Sequence, residues 1–559
     1  MTRQAGAATR VAAKASALSG AGAGVASVVL GAGMGELIAA IVAPSASPFA
    51  VIGGTLIDLA PPWAKDAAIT LFGTADKLAL LIGIAVVLLV LAALVGVLEL
   101  RRPWYGVVVF AALGAGAALL AMLRPEPVAL AWLPSLAAGF IAAAALAALT
   151  QLARARTVSS PIRQDARASH DAEPAVADGP GPMAPDAPTP RAEPARGPRM
   201  PVSTTRRRFL AWTGAAAAAG VLAAIAGTAL QAGARTVTAV RQALRLPAPA
   251  VTAPAVPAGA QLDLTGMTPV VTPNASFYRI DTALVVPQVD PSDWSLRIHG
   301  LVEKEVEIGW DELLALPLEE SWTTLACVSN PVGGDLIGNA KWLGYPIRLL
   351  LERARPTAEA DMVLSRSIDG FTASTPLEVL QEETRAAILA VGMNGEPLPA
   401  EHGFPVRMVV PGLYGYVSAT KWVTELEVTR FDKATAYWTT RGWSAKGPIK
   451  LQSRIDLPRR GQGLSAGETT IAGVAWQQHV GIAKVEVQVD GGPWREAALA
   501  SAISDDTWVQ WSIPWAAERG AHEIRCRATS TAGELQTETD AWPAPDGATG
   551  WQQLNIDVA

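Results

Sequence analysis

From Leu78 to Leu98 the chain runs 21 residues without a charged side chain. Coiled as an α-helix at 1.5 Å per residue, such a run spans about 30 Å, the hydrocarbon thickness of one bilayer. Tyr105 to Leu123 and Val128 to Thr150 are two further runs of this kind, with Trp104 and Trp132 suited to the lipid–water boundary. Leu18 to Val42 is a weaker fourth, rich in glycine and carrying Glu36. Phe49 to Leu59 is too short to span and ends in Asp58 and Pro61-Pro62, which suits a surface or loop segment. Residues 1–153 are therefore expected to form a transmembrane helical bundle of about four spans.

Basic residues orient it. Arg3, Arg10 and Lys14 precede the first span, Arg101-Arg102 separate the second and third, and Arg154, Arg156 and Arg163 follow the fourth. All fall on one side if the N-terminus is cytoplasmic, while the opposite loops balance Lys65 with Asp66 and Arg124 with Glu126. Glu36 could mark an ion path, as intramembrane carboxylates often do. It could equally sit near a helix end or be protonated against a neighbour, and with no partner in view the sequence favours that second reading. Of five histidines only His170 precedes residue 236, and no CxxCH occurs, so no haem is expected within this chain. Electrons leaving through the membrane would need a separate partner, soluble or membrane-bound.

Residues 154–204, rich in Pro, Ala, Asp and Arg, lack apolar periodicity and are expected to be a disordered cytoplasmic linker. Thr205-Arg206-Arg207-Arg208-Phe209-Leu210 then opens an apolar run to Ala232. It matches a twin-arginine export signal in an unusual internal position, or else a basic cluster before an ordinary fifth span. Either reading of residues 205–235 sends the remainder of the chain across the membrane, with this segment as an uncleaved anchor. Residues 236–260, ending in PAPAVTAPAVPAGA, read as an extended spacer holding the later domains off the bilayer.

From there the pattern changes. Residues 261–456 mix strand-like runs (Trp294 to His299, Val406 to Val410, Trp422 to Val428) with helical ones (Trp310 to Ala315, Pro346 to Arg353, Pro376 to Gln381), which predicts a mixed α+β domain. Residues 457–559 alternate apolar and polar positions around an Asp490-Gly491-Gly492 hairpin signal, which predicts a β-sandwich of immunoglobulin type. Cys526 is in phase with Ile524 and Ala528 and reads as core; His479 and His522 carry no ligand spacing. The other of the two cysteines, Cys327, ends an apolar run and opens a loop of Ser329, Asn330, Pro331, Gly333, Gly334 and Asp335. It is either a small buried residue or a functional thiol at a strand-to-loop junction.

Cys327-x-x-Asn330, then NAKWLGYPI from Asn339, HGFPVR from His402, VVPGLYGY from Val409 and the Lys421-Trp422 pair together resemble the sulfite oxidase family of molybdenum enzymes. The resemblance runs from near Thr272 to the C-terminus. It implies a molybdenum–molybdopterin cofactor with Cys327 as the protein ligand of the metal. It places cofactor contacts on His402, Arg407 and Lys421, with Asn330 and Ser418 as further candidates, and a substrate arginine on Arg279. A solvated strand face is the alternative for Lys421, and a surface pair with Asp281 the alternative for Arg279. Two departures stand out: Phe371 falls where the family carries a tyrosine near the metal, and Pro331 where it carries an arginine. A phenylalanine cannot hydrogen-bond an oxyanion. Tyr414, Tyr416, Tyr437 and Arg441 are polar residues that could compensate.

The expectation is thus a multi-pass membrane protein with its catalytic domain outside the cytoplasm. It would transfer oxygen atoms to or from a small oxyanion or oxide, as a possible homodimer through its C-terminal domain. The net charge of −5 gives nucleic-acid binding no support. The alternatives are a metal-free binding or adhesion module on the same fold, or a cysteine-nucleophile enzyme with His402 as base.

Overall fold

A computed structural model describes residues 2–42, 46–59, 76–123, 130–158, 202–231, 234–283 and 286–559. The expected linker lies almost wholly outside the described residues, as do Lys65, Asp66, Arg124, Glu126 and His170. The chain divides into two units, one made of residues 1–59 and 77–231, the other chiefly of residues 232–559.

The first unit is helical: α1 (Thr2–Val42), α2 (Pro48–Leu59), α3 (Asp76–Arg101), α4 (Tyr105–Met122), α5 (Leu133–Val158) and α6 (Val202–Gln231). Among the described residues, five helices are long and apolar enough to cross a membrane, and α2 is not one of them. Small residues set the packing: at Gly33 of α1 a Cβ would collide with the backbone of Gly220 on α6. Phe49 to Leu59 is not a loop but most of α2, whose Val51 is fully buried. Its start is fixed by Glu36, which accepts from the Ser47 hydroxyl at 2.8 Å and the Phe49 amide at 3.3 Å. Glu36 therefore caps a neighbouring helix. Glu99 does the same for α4, accepting from the Trp104 and Gly106 amides, and pairs with Arg154 of α5 at 3.2 Å. The basic motif from Thr205 to Leu210 lies inside α6.

The second unit begins with α7 (Ala234–Ala243) and an extended strap. The strap is not a free spacer. Val251 pairs with Glu319 as in a parallel sheet, Ala250 donates to the Leu318 carbonyl, and Trp322 donates to Pro254. Prolines suit this edge because they need no amide partner. Two five-stranded sheets follow. One contains β1 (Ser295–Gly300), β2 (Val306–Gly309), β5 (Met362–Ser367), β6 (Thr372–Pro376) and β10 (Val423–Thr429), in the order β2-β1-β10-β5-β6. The other contains β3 (Glu319–Ala326), β4 (Ile337–Pro346), β7 (Ile388–Met393), β8 (Glu396–Pro397) and β9 (Arg407–Val409), in the order β3-β4-β7-β8 with β9 on β7. Helices α8 (Trp310–Ala315), α9 (Ile347–Ala354) and α10 (Leu377–Gln381) lie within a residue or so of their predicted places. In α9 the buried Ile347, Leu350, Leu351 and Ala354 form one helical stripe.

Beyond residue 451 two four-stranded antiparallel sheets enclose a second core. The first is β11 (Gln452–Leu457), β12 (Gly467–Trp476), β16 (Val509–Ala517) and β15 (Ala498–Leu499). The second is β14 (Arg495–Glu496), β13 (Ile482–Val489), β17 (Gly520–Ser530) and β18 (Gln552–Val558). Inward residues of both, Ile471, Trp511, Val485 and Cys526 among them, share that core. The predicted hairpin turn between β13 and β14 forms, with Asp490 and Gly491 both at positive φ. His522, given no role above, pairs with Asp490 at 2.6 Å.

His479 joins these sheets to the rest of the second unit. Its Nε2 lies 3.0 Å from Glu382, and its Nδ1 lies 3.2 Å from Asp506. The Asp506 hydrogen bond, then Glu382, raise the imidazole pKa against partial burial. Burial opposes ionisation of Glu382, but bonds from His479, Thr384 and Arg385 together hold it down to about 2. A raised histidine stabilises the fold fully below its unfolded pKa near 6.5, and that contribution fades as pH rises through the folded pKa. His479→Ala should therefore lower stability by about 1 kcal/mol at pH 5.5 and by less at pH 9, as read by thermal unfolding at the two pH values. An equal loss at both would remove the ion-pair account.

Candidate active site around Cys327

β3 and β4 form a hairpin whose last pair is Ala326 with Ile337, so Cys327 begins the loop at the end of a fully buried half-strand. The Cys327 amide donates to the Leu336 carbonyl at 2.9 Å, and the Asn330 amide donates to the Cys327 carbonyl at 3.1 Å. Asn330 then turns its side-chain oxygen onto the Leu336 amide at 2.9 Å. Asn330 is thus a clasp for the loop and does not line the cavity. Cys327 is 8% exposed. Burial pushes its thiol pKa up, partly offset by the Ser329 amide and hydroxyl.

The thiol lines a cleft with about 860 Å³ of empty space, its open mouth included. His402, Arg407 and Lys421 line the same cleft, so three of the predicted cofactor contacts converge on it. A short turn, Ala400–His402, leads into Gly403 at φ 111°, where a Cβ would stand 3.0 Å from that of Arg407 and 3.1 Å from that of Lys421. Only glycine fits so close an approach at that φ. Arg407, 6% exposed, opens β9 and donates to the carbonyls of His402 at 3.1 Å and Ala419 at 3.3 Å. Its guanidinium lies 5.2 Å from the Trp342 ring. Among the described residues it has no carboxylate partner, and burial pulls its pKa down to about 10. Burial, then the charges of Arg407 and Lys421, bring His402 down to about 4, and its Nε2 donates to the Asn274 carbonyl.

Lys421 is not on a solvated face. It is 9% exposed and donates to Asp281 at 2.7 Å and to the Glu401 carbonyl at 3.0 Å. Burial lowers its pKa to about 8, against the pull of Asp281. Arg279 binds the same carboxylate oxygen at 2.8 Å and is absent from the cleft lining; Ile280 and Asp281 take that wall instead. The substrate-arginine expectation is corrected accordingly: Arg279 acts on the cleft only through Asp281. Ser418 is also off the lining, fully buried with its hydroxyl donating to the Leu413 and Tyr414 carbonyls.

Sequence reasoning passed over Tyr278, Asp281 as a lining residue, and the aromatic wall of Trp438 and Trp443. Tyr278 is buried near both Cys327 and Arg407, and burial first, then the Cys327 charge, raises its pKa far out of the working range. Its hydroxyl is a permanent donor. Alternation in an extended Phe-Tyr-Arg-Ile run would have set Tyr278 and Ile280 opposite Arg279, which is the signal that was there to use. Phe371 does line the cleft, as the departure implied. Tyr416 spends its hydroxyl on the Ser444 carbonyl at 2.8 Å, and Tyr414 accepts from the Lys450 amide at 3.4 Å. Tyr437 stacks under Arg441, whose guanidinium is 3.5 Å from the ring centre.

Residues 283–438 match the model of the oxidoreductase molybdopterin binding domain. An uncharacterised oxidoreductase of Bacillus subtilis (strain 168), YuiH, is 32% identical over 191 residues, covering 34% of this chain and 91% of that protein. Mitochondrial sulfite oxidase of Macaca fascicularis is 28% identical over 340 residues, covering 52% of this chain and 62% of that protein. The sulfane dehydrogenase SoxCD of Paracoccus pantotrophus superposes with a TM-score of 0.46 at 23% identity, covering 53% of this chain and 82% of that one. The chain belongs to the sulfite oxidase family of molybdopterin-dependent oxidoreductases. It spans about three-fifths of the length of the mammalian sulfite oxidases it matches.

The residues present fit such a cofactor. A buried thiol suits a soft metal, and a buried guanidinium without a carboxylate suits an anionic group supplied from outside the chain.

Asp281, with its side chain 4% exposed, is the carboxylate that holds Lys421. Asp281→Ala should cost about 3 kcal/mol by stranding that cation, whereas Arg279→Ala, at a more exposed partner, should cost about 1 kcal/mol or less. Denaturant unfolding of the two variants checks the order; equal losses would deny Asp281 its role.

Proposed function

We propose that this chain is a membrane-anchored molybdenum oxidoreductase that carries out oxygen-atom transfer on the outer face of the cytoplasmic membrane. The observation that carries this reading is the sharing of one cleft by the Cys327 thiol and a buried Arg407 with no carboxylate partner among the described residues. Molybdenum, when bound, supplies two-electron exchange of an oxygen atom with water. Cys327 would ligate it as the thiolate, giving up its proton on binding. Arg407, Lys421 and neutral His402 would hold the pterin and its phosphate. Asn330 and Ser418 keep the two walls in place through their backbone contacts. Tyr278 presents a protonated hydroxyl beside the thiol, the role that Phe371 cannot fill.

The rest of the reading comes from the sequence. Basic residues flanking the spans put the N-terminus in the cytoplasm, and the twin-arginine-like motif fits export of a folded, cofactor-loaded domain. The two C-terminal sheets would be an immunoglobulin-type module that pairs two copies. Electrons would pass to a separate carrier. The cysteine-nucleophile alternative is disfavoured, because a histidine with a pKa near 4 is a poor base for a thiol raised by burial.

The full chain, produced in a host that makes the cofactor, should carry about one molybdenum per chain, and Cys327→Ser should lose it while remaining folded. Cys327 should react with iodoacetamide only in cofactor-free protein. Folded chain without molybdenum would replace this proposal with a metal-free binding module.

A further inference from the structure

The cleft beside Cys327 has two unlike sides. One carries the polar groups already described. The other is aromatic: Trp438 and Trp443 meet edge-on at 6.2 Å, Tyr416 lies 5.9 Å from Trp443, and Phe371 joins the row through Tyr437 at 5.9 Å. Trp438, Trp443 and Phe371 are each only half-buried and line the cleft. They leave ring surface turned toward whatever occupies it.

Charge points the same way. Arg407 and Lys421 are the cations of the lining, and Asp281 and Asp369 are its carboxylates, so the bare cleft is balanced. Lys421 is already engaged by Asp281 at 2.7 Å. Asp369, at the mouth, accepts from the Phe371 amide at 3.2 Å and the Thr282 hydroxyl at 3.3 Å, neither of which neutralises its charge. A pterin phosphate held by Arg407 and Lys421 would turn the balance negative. A free dianion would then enter a site of its own sign, with Arg279 turned away onto Asp281.

Resting on the molybdenum reading above, we infer that the substrate is an uncharged organic S-oxide or N-oxide whose apolar substituent packs on Trp438, Trp443 and Phe371. A small dianion such as sulfite is not what this cleft selects. Rings offset or edge-on against an aromatic wall recognise such a group. The Tyr278 hydroxyl is a neutral donor for the oxide oxygen. The reaction balances as a two-electron reduction: one sulfoxide, two protons and two electrons give one sulfide and one water. The sulfur–oxygen bond breaks, the oxygen leaves as water, and an external one-electron donor supplies both electrons in turn. An amine N-oxide gives the amine and water in the same way.

The test uses the detergent-solubilised full chain with its molybdenum content measured first. Methyl phenyl sulfoxide and N,N-dimethylaniline N-oxide are offered with reduced methyl viologen, and sulfite with ferricyanide. Binding of unreactive methyl phenyl sulfone is followed by calorimetry. The expectation is turnover of an aryl oxide with little or none of sulfite. Trp438→Leu and Trp443→Leu should each raise KM and the sulfone Kd about tenfold, with kcat changed far less and molybdenum retained. Molybdenum-loaded enzyme that oxidises sulfite and ignores both oxides overturns this inference alone, as do leucine variants with unchanged KM and Kd. A folded chain lacking molybdenum overturns the earlier proposal and this one with it.

Discussion

A buried guanidinium is expensive: removing such an ion from water costs several kcal/mol even after relaxation, and hydrogen bonds to carbonyls recover only part of it. Arg407 is held in that condition by carbonyls of His402, Met408 and Ala419 and by the face of Trp342. Much of the local backbone follows from it. Gly403 is needed where the chain passes the stems of Arg407 and Lys421, and β9 pairs on one side with β7 and on the other, by a single bridge, with Lys421. His402 stays neutral because it is buried and two cations sit beside it. Asp281 neutralises Lys421 and leaves Arg407 uncompensated, so the cleft keeps one unmet demand for negative charge at its polar end.

The C-terminal sheets serve this site as a buttress. Arg454 of β11 donates to the Gly334 carbonyl at 2.9 Å, and at Gly333 a Cβ would press on the side chain of Gln552. Trp508 donates to the Val270 carbonyl at 2.9 Å, and its amide donates to Thr324 on β3. The loop after Cys327 is thereby fixed from behind by a domain that contributes no side chain to the cleft lining. In the helical unit the same economy of polar groups holds at lower density. Glu36 and Glu99 each cap the start of another helix, which satisfies amides that lipid could not.

Local pattern carried the elements well. Strands β1 and β10 and helices α8 to α10 stand where alternation and helical spacing put them, because each buries one face against an adjacent layer. Phe49 to Leu59 was misread because its helical state depends on a cap supplied by Glu36, more than ten residues back. The strap after Leu246 was misread because proline-rich chain looks the same whether free or laid on a sheet edge.

What the sequence determined by itself was the membrane helices, the mixed and all-β domains, and the thiol and cations that sit together: Cys327, His402, Arg407 and Lys421. Uninterrupted apolar length, two-residue alternation and a motif order shared with a family are properties of the chain alone. The tertiary structure decided which neighbours of those motifs reach the cleft. Asn330 and Ser418 turned inward to backbone, Arg279 turned onto Asp281, and Tyr278 and two distant tryptophans came to face the thiol. Side-chain direction at an irregular segment depends on partners far along the chain, and short-range pattern carries no record of them.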